Sequence, residues 1–111
     1  MTEPKAGKTV RGRILVVDDE SLIRWSLKES LGQEGYAVTT AEDGKTALGA
    51  AGEQSFDLAL LDYKLPDLNG IELLEQLRAV QPDLPAIMIT SHSSVENAVA
   101  AMRAGANDYV T

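Results

Sequence analysis

The sequence predicts an α/β fold: a doubly wound, mainly parallel sheet of five strands with helices on both faces. Three observations predict it. Short runs dense in apolar and β-branched residues, "RILVV" (13–17), "FDLALL" (56–61) and "AIMIT" (86–90), have the hydrophobicity of strands buried on both faces. Between them lie stretches whose apolar residues recur at helical spacing. Strand and helix alternate along the chain, which implies parallel neighbours joined by right-handed crossovers.

Taken in order, the strand 13–17 leads into a helix over 21–33, with Ile23, Leu27 and Leu31 on one face. "YAVTTA" (36–41) is a weaker second strand, followed by a short Ala-rich helix over 44–52 with glycines at both ends. The third strand, 56–61, precedes a helix over 70–80 that carries Ile71, Leu74 and Leu77. Asn69 with Glu72 three residues later signals a capping box at its start. After the fourth strand, 86–90, a helix over 94–104 sets Val95, Ala98, Val99 and Met102 on one side, and Ser93 with Glu96 repeats the capping signal. "NDYV" (107–110) is a weaker fifth strand. Five such strands are compatible with the order 2-1-3-4-5, the flavodoxin-like arrangement, in which ligands bind beyond the carboxyl ends of the strands, where strands 1 and 3 meet.

Length and charge narrow the function. The 111 residues fit one domain. Seventeen acidic against ten basic residues give a net charge of -7, which repels phosphate backbones, so direct nucleic-acid binding is not expected. The absence of cysteine excludes a disulfide framework and a thiolate metal site, and suits a cytoplasmic protein. The polar, basic start "MTEPKAGKTVRGR" lacks an apolar signal core, and no apolar run approaches the roughly 20 residues that span a bilayer. Residues 1–12 read as a flexible arm.

The acids carry the chemistry. "VVDDE" puts Asp18, Asp19 and Glu20 at the switch point, and the third strand's run ends on Asp62 at the same place. Converging carboxylates repel one another, and a hard divalent cation with oxygen ligands relieves them; Mg²⁺ is the abundant candidate, and zinc is disfavoured. The alternative is that the paired acids serve the dipole of the following helix and that Asp62 begins a turn. Spacing alone leaves both open. "MITSHSS" brings Thr90 and Ser91 beside Asp62, where a hydroxyl can donate to an oxyanion, although Thr90 also suits a strand and Ser91 or Ser93 a helix cap. His92, the single histidine, reads as a solvated loop residue. No G-x-S-x-G elbow, P-loop or G-x-G-x-x-G follows a strand.

Four stretches, "RILVVDDE", "DLALLDYKLPDLNGIELL", "AIMITSHS" and "AMRAGANDYVT", make residues 13–111 resemble the receiver domain of two-component response regulators. The resemblance implies that Asp62 is the phosphoacceptor, that Asp19 ligates Mg²⁺ directly and Asp18 through water, and that the backbone carbonyl of Lys64 is a further ligand. It implies that Thr90 contacts the phosphoryl group and that Tyr109 is the aromatic switch. The implied partners are a sensor histidine kinase and a second copy, met through the helix 94–104 and the face of strand 5. Chemistry would be limited to the domain's own phosphorylation and dephosphorylation. "DDESLIRWSLKESL", with Trp25, resembles receivers of regulators that activate sigma-54 promoters, whose ATPase and DNA-binding output domains lie outside this chain.

One departure accompanies the likeness. Family members continue past the position of Thr111 with a lysine, usually a proline, and a fifth helix, so 13–111 is expected to be a C-terminally truncated receiver with apolar surface open on strands 4 and 5. Two rivals remain. A phosphatase of the haloacid-dehalogenase kind also uses an aspartate beside Mg²⁺, but wants a second aspartate where Lys64 stands. A receiver-shaped interaction module that is never phosphorylated is the other.

Overall fold

The computed structural model describes residues 10–89 and 95–110, excepting the side chains of 95–98 and 109. Its elements alternate as predicted: β1 (Arg13–Val17), α1 (Ser21–Gln33), β2 (Ala37–Ala41), α2 (Gly44–Glu53), β3 (Leu58–Asp62), α3 (Gly70–Val80), β4 (Ala86–Ile89), α4 (Val95–Arg103) and β5 (Asp108–Val110). The strands form one sheet in the order β2-β1-β3-β4-β5, with every neighbouring pair parallel.

Alternation along β1 divides the core in two. Leu15 and Val17 face one side, with Ala59 and Leu61 of β3 and Ala86 and Met88 of β4. They meet Leu73, Leu74 and Leu77 of α3, Ala47 and Ala51 of α2, and Ala101 of α4. The three α3 leucines are completely buried, and burial of each stabilises the fold by roughly 1.5–3 kcal/mol. Ile14, Val16 and Leu60 face the other side, against Leu27 and Leu31 of α1. That second layer is thinner. No residue of α1 is fully buried, Ile87 and Ile89 are only partly covered, and Val110 is exposed, so apolar surface on β4 and β5 does reach solvent.

The helix starts follow their local chemistry. Asn69 accepts from the Glu72 N–H at 2.9 Å while the Glu72 carboxylate accepts from the Asn69 N–H at 3.1 Å, the reciprocal capping box predicted for α3. Asp43 caps α2 by accepting from the Thr46 N–H at 2.8 Å. The predicted box at Ser93 and Glu96 lies outside the described side chains.

Two expectations need correction. The third strand begins two residues later than its apolar run and ends one residue later: Phe56 and Asp57 precede the ladder, and Asp62 closes it opposite Ile89. The cause lies at the start of the run, where the Phe56 N–H donates to Gln81 Oε1 at 3.0 Å and the Asp57 carboxylate accepts from the Arg13 N–H at 2.8 Å. Side-chain acceptors thus take the Phe56 and Arg13 N–H groups, and the one backbone bond made there runs from the Asp57 N–H to the Arg13 carbonyl at 2.8 Å. The stripe on α1 is also shorter than predicted, because Ile23 lies at the exposed end of the helix with Leu22 and Trp25 while Leu27 and Leu31 do the packing.

Candidate functional site

Parallel pairing brings the carboxyl ends of β1 and β3 side by side, with Val17 opposite Leu61, so the residues that follow each strand emerge together. Asp18, Asp19 and Glu20 form a cluster in which one oxygen of each carboxylate lies within 4.8 Å of the others. Asp18 is buried, whereas Asp19 and Glu20 are exposed. Asp62, the last residue of β3, is partly buried beside them.

Electrostatics tie the two groups together. Burial, then the charge of Asp18 and further that of Asp19, pushes the Asp62 carboxyl up from 3.8 to about 6, against the lowering effect of the Lys64 and Tyr63 backbone N–H groups. Burial also raises Asp18, with Asp19 and Glu20 adding repulsion, while a hydrogen bond from the Glu20 N–H at 2.9 Å and the charge of Arg24 pull the other way. The acids are crowded as the sequence predicts. The alternative reading also holds a share: Asp18 accepts the N–H of Glu20, the residue that opens α1, although no side chain caps that helix.

A set of hard carboxylate oxygens with mutual repulsion suits Mg²⁺ or Ca²⁺ and disfavours softer metals. The residues present therefore fit a divalent cation. The Lys64 backbone belongs to the same neighbourhood: its N–H reaches Asp62 Oδ1 at a long 3.5 Å, and its side chain is exposed.

The loop from β3 to α3 is closed at its base. Lys64 bridges Asn69 in antiparallel fashion, and the Gly70 N–H donates to the Tyr63 carbonyl at 2.7 Å. At its tip, Asp67 accepts from the Gly44 and Lys45 N–H groups of α2, both at 2.9 Å, and the Gly44 bond in particular holds its carboxyl below the usual range. Thr90, with Ser91 and His92, lies outside the described residues. So does the side chain of Tyr109, whose backbone is registered with Met88.

Two residues near the acids escaped the sequence reading. Arg24 donates from a guanidinium nitrogen to the Asp18 carbonyl at 2.7 Å, fixing the peptide that joins the two adjacent aspartates. Its position one helical turn after Glu20 was the available signal. Asp67 carries no local signal because its partners are 22 and 23 residues away.

Comparison with known proteins defines the class. The family model for the response regulator receiver domain matches residues 14–111. The chain belongs to that family, a class of signalling domains. It is 41% identical over 100 residues to the DNA-binding transcriptional regulator NtrC of Salmonella typhimurium, a match covering 90% of this chain and 21% of NtrC. NtrC is a relative of the kind that the stretch around Trp25 suggested. A CheY-like receiver domain protein from Methanospirillum hungatei superposes with a TM-score of 0.86 at 41% identity, over 92% of this chain and 81% of that one. A response regulator from Burkholderia pseudomallei, solved with a phosphorylated aspartic acid, calcium ion and citrate, superposes with a TM-score of 0.84 at 33% identity, over 88% of this chain and 58% of that one. The chain spans less than half the length of the curated relatives it matches. Family membership sets aside the haloacid-dehalogenase alternative. No helix among the described residues is long and apolar enough to cross a membrane.

Proposed function

We propose that Asp62 is the phosphoacceptor of a two-component pathway, taking a phosphoryl group from a phosphohistidine on a sensor histidine kinase and thereby switching an output, namely transcription. The observation that carries this reading is the electrostatic coupling of Asp62 to Asp18 and Asp19 across the β1–β3 switch point. A carboxyl raised only to about 6 is mostly ionised at neutral pH, as a nucleophile must be. One Asp62 oxygen forms the new bond to phosphorus in line with the breaking phosphorus–nitrogen bond, whose electron pair stays on the histidine ring.

Asp18, Asp19, Asp62 and the Lys64 carbonyl would hold a divalent cation, Mg²⁺ in the cell. Bound there, it supplies the positive charge that lets an anionic carboxylate approach an anionic donor. Arg24 orients the Asp18–Asp19 peptide through its bond to the Asp18 carbonyl. The family likeness and their positions on the fourth and fifth strand runs support Thr90 as the hydroxyl that meets the phosphoryl group and Tyr109 as the aromatic that moves with it. Exposed Val99, Met102 and Val110 support the helix 94–104 and β5 as the face that meets a second copy. Residues 13–111 are the receiver, and the setting is the cytoplasm, with ATPase and DNA-binding output domains supplied by the longer protein; the arm expected over 1–12 lies mostly outside the described residues, and Arg11 and Gly12 are already bonded to Gly35 and Ala37.

The test is intact-mass measurement after incubation with a small acyl phosphate. The chain with Mg²⁺ should gain one phosphoryl group, which is lost without Mg²⁺ or in Asp62→Asn. A chain that stays unmodified is the receiver-shaped interaction module instead, and equal modification of Asp62→Asn would place the acceptor elsewhere.

A further inference from the structure

We infer that Asp67 is a positioning residue for the chemistry at Asp62, a clasp that fastens the acceptor loop to the start of α2; this rests on the reading of Asp62 as the acceptor. Each oxygen of its carboxylate takes one backbone N–H, from Gly44 and Lys45, at 2.9 Å. These are among the N–H groups that a helix start leaves without intrahelical partners. α2 already has its own cap in Asp43, which takes the Thr46 N–H. A second carboxylate, brought from the loop after β3, is therefore more than the helix needs to begin.

The clasp has a second contact. Gly44 faces Leu68, and a β-carbon at that position would overlap the leucine side chain. Loop tip and helix start are thus fitted to one another by a bidentate hydrogen bond and by close packing. The base of the same loop is closed by the Lys64–Asn69 bridge and by the Gly70 N–H on the Tyr63 carbonyl. Lys64 lies inside this strap, two residues after Asp62, so the place of its carbonyl depends on both anchors. Asp67 itself is exposed. Removing its carboxylate opens no cavity in the core, so its main consequence falls on where the loop sits.

The experiment compares wild type, Asp67→Asn and Asp67→Ala, with Asp57→Asn as control. Asp57 also clasps a backbone N–H, that of Arg13, but at the opposite end of the sheet. Mg²⁺ affinity is measured by calorimetry well below the melting temperature, and phosphorylation rate with a small acyl phosphate. Asp67→Ala, by loosening the loop that carries the Lys64 carbonyl, should weaken Mg²⁺ binding and slow phosphorylation on the order of tenfold, the low end of the effect of disturbing a metal ligand's support. Asp67→Asn, which keeps one acceptor oxygen, should lie between it and wild type, while Asp57→Asn should lower the melting temperature without changing Mg²⁺ affinity. Wild-type Mg²⁺ affinity and rate in both Asp67 variants would overturn the inference, and so would an effect that merely follows loss of stability and is shared by Asp57→Asn. A wild-type chain that takes up neither Mg²⁺ nor a phosphoryl group would defeat the underlying reading instead, a separate and distinguishable result.

Discussion

A β-carbon on Gly70 would stand 2.5 Å from the carbonyl oxygen of Asp62 and 2.5 Å from Met88 Cε. The end of β3 and the start of α3 are packed with no room between them. The Asp62 contact is to backbone, which cannot swing aside as the end of a side chain can. Gly70→Ala should therefore destabilise the chain by roughly 1–3 kcal/mol, the usual cost of overpacking. Chemical denaturation measures this, and the same variant should phosphorylate more slowly because Asp62 must shift.

The box that opens α3 makes a separate prediction. Asn69→Ala removes the acceptor of the Glu72 N–H at a helix start next to the loop that follows Asp62. The expected loss is about 1 kcal/mol, or roughly 4–8 °C in melting temperature for a domain of this size. Asn69→Ser, which keeps a capping oxygen, should recover most of it in the same thermal scan.

Gln81 ties three segments together at the far end of the sheet. It accepts from the Phe56 N–H at 3.0 Å and donates to the Ala51 and Gln54 carbonyls at 2.9 and 2.8 Å. Gln81→Leu orphans all three backbone groups, and each partly buried orphan costs about 1–3 kcal/mol. Denaturant unfolding should show a loss of at least about 2 kcal/mol with Mg²⁺ affinity unchanged, because the change is remote from the acids.

Much of the fold was legible because each face of the sheet imposes its own pattern. The unbroken apolar run of β1 and the helical spacing of Leu74 and Leu77 in α3 leave little freedom in where strands and helices lie. The start of β3 was not legible, since Phe56 and Asp57 continue the apolar run but are claimed by Gln81 and Arg13, partners far away in sequence. At the site, the convergence of Asp18, Asp19 and Asp62 could be read from strand order alone. Glu20 completes the geometric cluster, while Asp62 joins it through charge. Arg24 and Asp67 stayed hidden because each acts through backbone atoms, which carry no signature in residue identity.

The raised Asp62 carboxyl has a consequence for stability. Its folded value, about 6, exceeds the ordinary 3.8, so the folded chain binds the proton more tightly than the unfolded one between those limits. Its contribution to stability is full below pH 3.8 and is lost as pH rises through about 6. Asp62→Asn should accordingly be more stable than wild type above pH 6, on the order of 1 kcal/mol after allowing for solvent screening. The gain should fade as pH falls toward 4 in thermal scans without divalent cation. Asp18, raised in the same direction, adds to the trend in both chains.

The central claim is that Asp62 shares one electrostatic site with Asp18 and Asp19, and that a divalent cation relieves it. Carbon-detected NMR titration of the Asp62 carboxyl, with and without Mg²⁺, measures this directly. A midpoint of about 6 is expected without the ion, with a large downward displacement when Mg²⁺ is present. A midpoint at the ordinary aspartate value, unmoved by Mg²⁺, would contradict it.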